Sequence, residues 1–137
     1  MNRRNLLIAL VLLGAAVVFY RTFDAPDQPA TGAAMANVVV PDLSAPAREG
    51  EALFNRSCAT CHGKNAAGQD GVAPPLIHKI YEPSHHGDAS FLLAARNGVR
   101  AHHWPFGDMP PVEGITDAEI EKITAYVREI QRANGIY

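Results

Sequence analysis

Five consecutive residues carry the most specific chemistry in this chain: Cys58-Ala59-Thr60-Cys61-His62. Cysteine-x-x-cysteine-histidine is the pattern of covalent haem attachment. The two thiols can add to the two vinyl groups on one porphyrin edge, and the short link brings the next imidazole under the iron. His62 then serves as proximal ligand through Nε2, while its other ring nitrogen donates to a backbone carbonyl that fixes the ring. Three other uses of the pair fit less well. A redox dithiol of the thioredoxin type needs a strand-turn-helix setting that the surrounding sequence lacks. A structural zinc site needs two further ligands at matching spacing, and there is no second C-x-x-C. A plain disulfide leaves His62 without a role.

A second ligand is needed to close the iron. Gly107-Asp108-Met109-Pro110-Pro111 lies downstream, and Met109 is the one methionine outside the N-terminal third. A thioether is a soft ligand suited to haem iron, and a methionine–histidine pair raises the reduction potential. The prolines after it restrict the loop and present the side chain rigidly. Core filling is the ordinary use of a methionine. His102 and His103 are rivals that would give a bis-histidine iron. Met109 is the favoured ligand.

Of the six histidines, five besides His62 remain: His78, His85, His86, His102 and His103. Loops flanking one helix can meet in space, so His85, His86, His102 and His103 form a candidate second metal site. Imidazoles suit Cu(II) or Zn(II), with copper placed first. The plainer reading is exposed histidines in polar loops, or donors to haem propionates.

The elements that position these residues are helical. A first helix is expected over about Pro46 to Arg56, capped by Ser44, with proline in its first turn. A second covers about Asp88 to Asn97, with Asp88 as cap and Gly98 closing it. The third starts at the capping box Thr116-Asp117-Ala118-Glu119, with Ile115 and Ile120 as staple. Ile120, Ile123, Val127 and Ile130 continue it at helical spacing, and Asn134-Gly135 ends it. No run alternates long enough to make a strand. A domain of about ninety residues with three short helices has a thin core, and a haem would fill it.

Ahead of the domain, Leu6 to Tyr20 is free of charge and follows Arg3 and Arg4. The run is short for a membrane span, which takes about 20 residues with a lower limit near 17. Arg21 can snorkel, and Phe19, Tyr20 and Phe23 suit an interface. The only small-x-small site of note, Ala34-Met35-Ala36, lies too far on for signal cleavage. Residues 1–23 are therefore expected to be a membrane anchor or a signal, the uncleaved anchor being favoured over the cleaved signal, with the N-terminus inside and the rest outside. Residues 24–45 read as a Pro/Ala-rich linker, with Val38-Val39-Val40 either docking on the domain or acting as spacer. The haem domain is expected over 46–137.

The order of helix, C-x-x-C-H, proline-leucine element, Met-Pro loop and capped last helix resembles the class I c-type cytochromes, over about residues 46–133. The resemblance implies an all-α fold of three to four short helices around one covalent haem c, here preceded by a single membrane-spanning helix. It implies that the Pro74 carbonyl, in Pro74-Pro75-Leu76, accepts from the His62 ring. It implies that the first and last helices cross, with Gly50 and Phe54 meeting Tyr126. Arg100 and Trp104 become candidate propionate donors. The histidine-rich middle departs from the simplest members.

The expected function is one-electron transfer between membrane or periplasmic redox proteins, with no small-molecule substrate. The site would be a periplasmic domain on a bacterial inner membrane. The alternatives are a haem enzyme or copper-handling protein using the histidine cluster, and a subunit of a larger membrane complex. Nucleic acid is excluded: the net charge is −2, and no basic cluster is interleaved with aromatics. Setting Arg3, Arg4, Arg21, Asp24, Asp27 and Asp42 aside from the totals of 12 and 14 leaves nine basic against eleven acidic residues. Overall charge therefore gives little steering.

Overall fold

The structure is a computed structural model and describes residues 2–20 and 30–137. Among these residues it is helical, with β-type pairing confined to the isolated bridges Gln69–Ala73 and Val99–Met109. The helices are α1 (Arg3–Phe19), α2 (Ala45–Ser57), α3 (Ala59–His62), α4 (Asp88–Asn97) and α5 (Asp117–Ala133). Single 3₁₀ turns lie at Lys64–Ala66 and Lys79–Tyr81.

The membrane-spanning helix expected at the N-terminus is not supported. α1 has 17 residues, about 26 Å at 1.5 Å per residue, against an apolar bilayer core of about 30 Å. Among the described residues no helix is long and apolar enough to cross a membrane. Arg21 and Phe23, invoked as interface anchors, lie outside the described residues.

The domain is built on the crossing of α2 and α5. Ser44 caps α2 by accepting from the Ala47 amide at 3.4 Å, with Pro46 in the first turn. Thr116 and Glu119 form the reciprocal capping box of α5, with Glu119 Oε2 accepting from the Thr116 amide at 2.9 Å. Periodic apolar residues on the two helices then meet. Phe54 and Tyr126 are fully buried, and their rings lie 5.5 Å apart. Gly50 makes the close approach possible: a Cβ there would collide with the Lys122 carbonyl oxygen and stand 2.9 Å from Tyr126 Cβ. Ala47, Ile123, Val127 and Ile130 complete this core, with Ile77 packing in from the central loop.

α4 begins where expected, but Asp88 is not its cap. Gly87 takes that position without a side-chain bond, because the Asp88 carboxylate is turned to Arg128 Nε at 2.8 Å. Gly98, at φ +73, ends α4. It also lets the chain lie against the Met109 carbonyl, where a Cβ would clash. Val99 and Met109 then exchange two backbone hydrogen bonds of 2.9 Å.

Part of the segment read as a linker packs on the domain. The Met35 and Ala36 amides donate to the Ala67 carbonyl at 3.1 and 3.0 Å, and Asp70 N donates to Ala33 O at 2.9 Å. Asn134 receives the Val39 amide at 2.9 Å and returns a bond to its carbonyl at 2.7 Å. Of the two roles open to Val38-Val39-Val40, docking is the one observed, and Val38 packs against the core. Hydrogen bonds to residues some 35 and 95 positions away keep the strap in place, and no local pattern announces them.

Candidate functional site

α3 is a single helical turn that holds the last four residues of the C-x-x-C-H sequence and follows α2 after one residue, Cys58. Both termini of the turn are held. The His62 amide donates to Cys58 O at 2.9 Å. The Gln69 side-chain amide gathers the carbonyls of Thr60 and Cys61 at 2.6 and 3.0 Å. Gln69 was not anticipated from sequence, since a polar residue seven positions past a motif has no distinguishing pattern.

His62 Nδ1 lies 2.9 Å from Pro74 O. A carbonyl can only accept, so Nδ1 carries the proton and Nε2 presents a lone pair. Burial lowers the pKa of His62 below the ordinary 6.5, partly opposed by the bond to Pro74. The neutral ring is the ligating form. Cys58 moves the other way: burial, and secondarily Cys61, push its thiol up to about 11. Redox-active dithiols of the C-x-x-C type have a thiol with a lowered pKa, and the Cys58 thiol is shifted the opposite way.

These groups line a cavity of about 510 Å³. Cys58, Cys61, His62 and Pro74 contribute one part of its wall, and Met109 lines it too. Leu76, Phe91, Val99, Ile120 and Ile123 make much of the remainder apolar. Trp104 also lines it, and its buried indole nitrogen has no hydrogen-bond partner. The Tyr81 phenol shares the wall. Burial raises its pKa and the neighbouring indole partly offsets this, although the two form no well-aligned hydrogen bond. An unpaired buried N–H costs about 1–3 kcal/mol, and an acidic group of a bound cofactor would satisfy it. Apolar walls, two thiols at one place, a neutral imidazole, a thioether and one orphan donor together fit a haem. Arg100 does not join them. It is exposed, absent from the cavity wall, and contributes its carbonyl to His102 Nδ1 at 2.8 Å.

The cytochrome c family model matches residues 47–131. The chain belongs to the cytochrome c family. A Cbb3-type cytochrome c oxidase subunit CcoP of Azospirillum brasilense is 31% identical over 93 residues, 64% of this chain. The chain spans 29% of that relative's length. No solved structure matches. The family is one of haem proteins, and the site just described is where this cytochrome would hold its haem.

Behind the cavity lies a polar network that the sequence reading missed. Arg128, 6% exposed, donates to Tyr81 O at 2.7 Å and to Gln131 Oε1 at 2.6 Å. It also donates to His86 O, and its guanidinium sits 4.9 Å from the Phe91 ring centre. Gln131, fully buried, donates to Leu76 O and Tyr81 O at 2.9 and 3.0 Å. The pair ties the loop from Leu76 to Asp88 to α5. A signal was available: Arg128 and Gln131 lie four residues after Thr124 and Val127 on the buried face, where a polar residue demands a partner.

The histidines divide. His78 accepts from the Ile80 amide at 3.2 Å and meets the Trp104 ring edge-on at 5.1 Å. His85, His86, His102 and His103 come together at the cavity's rim, and the last three line it. The potential ligand atoms of His85, His86 and His103 all lie within 4.8 Å of one another. His102 stands beside this group, its ring 4.2 Å from that of His103. Partial loss of water, then the neighbouring His102, His86 and His85, lower the pKa of His103. No comparison points to copper.

Proposed function

We propose that this cytochrome is a one-electron carrier whose haem c is joined to Cys58 and Cys61 by thioether bonds. His62 Nε2 and the Met109 sulfur would hold its iron. The haem supplies a single iron that alternates between ferrous and ferric. The chain's own residues do the rest. Pro74 O fixes the His62 ring in the ligating tautomer, supported by the 2.9 Å contact to Nδ1. The Val99–Met109 bridge and Pro110 hold the Met109 backbone. The apolar wall excludes water and disfavours the extra charge of the ferric state, which together with the thioether raises the potential. The Trp104 indole, buried and without a hydrogen-bond partner, would donate to a propionate. With His62 and Met109 both on the iron, no open position would be left for a substrate, which favours electron transfer over peroxidase chemistry.

The observation that carries this reading is that the two thiols, the neutral imidazole and Met109 line one apolar cavity. The donors and acceptors are other redox proteins of a respiratory chain, a reading drawn from the likeness to an oxidase subunit. A position at the outer face of a bacterial inner membrane is part of the reading; the apolar α1, with Leu7 and Val11 exposed, and the Arg3 that leads it support an association with the membrane.

The test is expression in a host that matures c-type cytochromes, followed by visible spectroscopy of wild type and Met109→Leu. The wild type is expected to be red under denaturing conditions, showing covalent haem. It is also expected to show the weak long-wavelength ferric band of sulfur–iron bonding. Met109→Leu should lose that band and have a lower potential. A colourless wild type defeats the haem assignment, and an unaltered band in the variant defeats the axial assignment.

A further inference from the structure

We propose that His85, His86 and His103 form a binding site for one divalent late transition-metal ion of the zinc class, at the rim of the haem cavity. We further propose that filling it raises the reduction potential of the iron. The binding site stands on its own geometry; the effect on the potential rests on the haem reading above.

The three imidazoles come from two loops, one before α4 and one after it, separated by seventeen positions between His86 and His103. Their ring centres are 4.6 Å apart for His85–His86, 5.3 Å for His85–His103 and 5.4 Å for His86–His103. A tetrahedral zinc with bonds of about 2.0–2.1 Å requires nitrogens roughly 3.3 Å apart. The nitrogens already lie within 4.8 Å of one another. His85 and His103 are exposed, so side-chain rotation alone can close the difference.

His86 is the prearranged member. Its Nδ1 is 2.6 Å from Ile80 O; a carbonyl only accepts, so Nδ1 carries the proton and donates to it, which leaves the Nε2 lone pair for a metal. This is the partner that metal-bound histidines use to set their tautomer. Its own carbonyl is held by the buried Arg128. The other two can adapt to it.

Nearby carboxylates are otherwise engaged. Asp88 pairs with Arg128 at 2.8 Å, Asp108 Oδ1 accepts the Ala101 amide at 2.8 Å, and Glu82 accepts from Ser84 at 3.0 Å. Among the described residues the group therefore contains imidazoles alone. Neutral imidazoles suit Zn(II), Cu(II) and Ni(II), whereas Mg(II) and Ca(II) need oxygen donors. Three protein ligands leave a fourth position for water or for His102, whose ring centre is 6.3 Å from that of His86. A bound ion keeps its full positive charge, because no ligand neutralises it. His86 and His103 line the cavity, so that charge lies beside the haem and disfavours the ferric state.

The experiment uses the full-length holoprotein, freed of metal by a chelator and titrated calorimetrically with Zn(II), then Cu(II), with Mg(II) as control. One equivalent of Zn(II) and of Cu(II) should bind, and Mg(II) should not. His85→Ala/His103→Ala should weaken binding by more than the roughly 10- to 100-fold that a mere orienting partner is worth. His86→Gln is a second probe should the double variant misfold, and the haem band reports folding in both. Potentiometry with and without Zn(II) should show a higher potential for the wild type and no shift for the double variant. Absence of one-to-one binding, or binding indifferent to these histidines, overturns the site. Binding without a shift overturns the coupling. The two readings fail separately: a colourless wild type defeats the haem assignment, whereas in a red holoprotein a lack of one-to-one zinc binding dependent on His85 and His103 defeats the site alone.

Discussion

Replacing Arg128 with methionine removes the guanidinium and keeps much of the side-chain volume. The structure allows the cost to be apportioned. Tyr81 O would keep the Gln131 donor at 3.0 Å and is not orphaned. Asp88 has a side chain 74% exposed, so it returns to water and its pairing is worth about 0–1 kcal/mol. Gln131 Oε1 and His86 O lose their Arg128 partner, at about 1–3 kcal/mol for each acceptor left dry. Breaking a buried ion pair costs about 3–5 kcal/mol when it strands a buried charge. Here the surviving charge is exposed, which selects the lower part of the range. The expected loss is about 3 kcal/mol, or roughly 12–24 °C in Tm for a domain of this size. Urea unfolding of the holoprotein, followed by far-ultraviolet circular dichroism and by haem absorbance, measures it. Arg128→Lys should recover less than half, because one ammonium cannot reach three separated carbonyl and amide oxygens. A loss below about 1 kcal/mol for Arg128→Met would refute the view that this network holds the central loop.

Gly50→Ala should destabilise despite a helix-propensity gain of about 1 kcal/mol. The added methyl meets the Lys122 carbonyl, and overpacking costs about 1–3 kcal/mol; denaturant unfolding with an unchanged slope is the check. Tyr126→Phe should stabilise by about 1 kcal/mol at neutral pH, since the buried hydroxyl has no partner. Burial, with Glu51 secondary, pushes the Tyr126 phenol from 10.0 up to about 12. Its neutral form is favoured on folding, so stability present below pH 10 is lost as pH rises towards 12, and Tyr126→Phe should remove that loss in a pH series of melts. Glu119 is held below the ordinary 4.5 by the Thr116 amide first and then by Arg56 and the Thr116 hydroxyl. Glu129 is held below it by Ser44. Both contribute stability that is present above pH 4.5 and lost as pH falls through their folded values. Glu119→Gln/Glu129→Gln should therefore flatten the acid side of the Tm curve.

What could be read along the chain is what short-range rules govern. The capping box at Thr116 and Glu119 spans three positions and formed as expected, as did the Ser44 cap and the glycine stop at Gly98. The C-x-x-C-H pentapeptide is equally local, and its chemistry follows from residue order. The contact of His62 with the Pro74 carbonyl and the crossing of Gly50 and Phe54 with Tyr126 came from the family resemblance, and the structure places those atoms together. α1 is helical as its apolar run suggests, but among the described residues it is too short to cross a membrane.

Tertiary structure alone decided the rest. Arg128 binds carbonyls 42 and 47 positions earlier, and Asn134 pairs with Val39 across 95. Nothing in either local sequence encodes such partners; they meet because burying the apolar face of α5 carries its polar members in as well, where each must find an oxygen or a proton. Asp88 was misjudged as a cap for the same reason, since a distant arginine outcompeted the adjacent amides. The histidine cluster is the clearest case. Composition supplied the imidazoles, but only the folding of two loops onto the cavity's rim selected His85, His86 and His103, with His102 beside them, and left Arg100 in water.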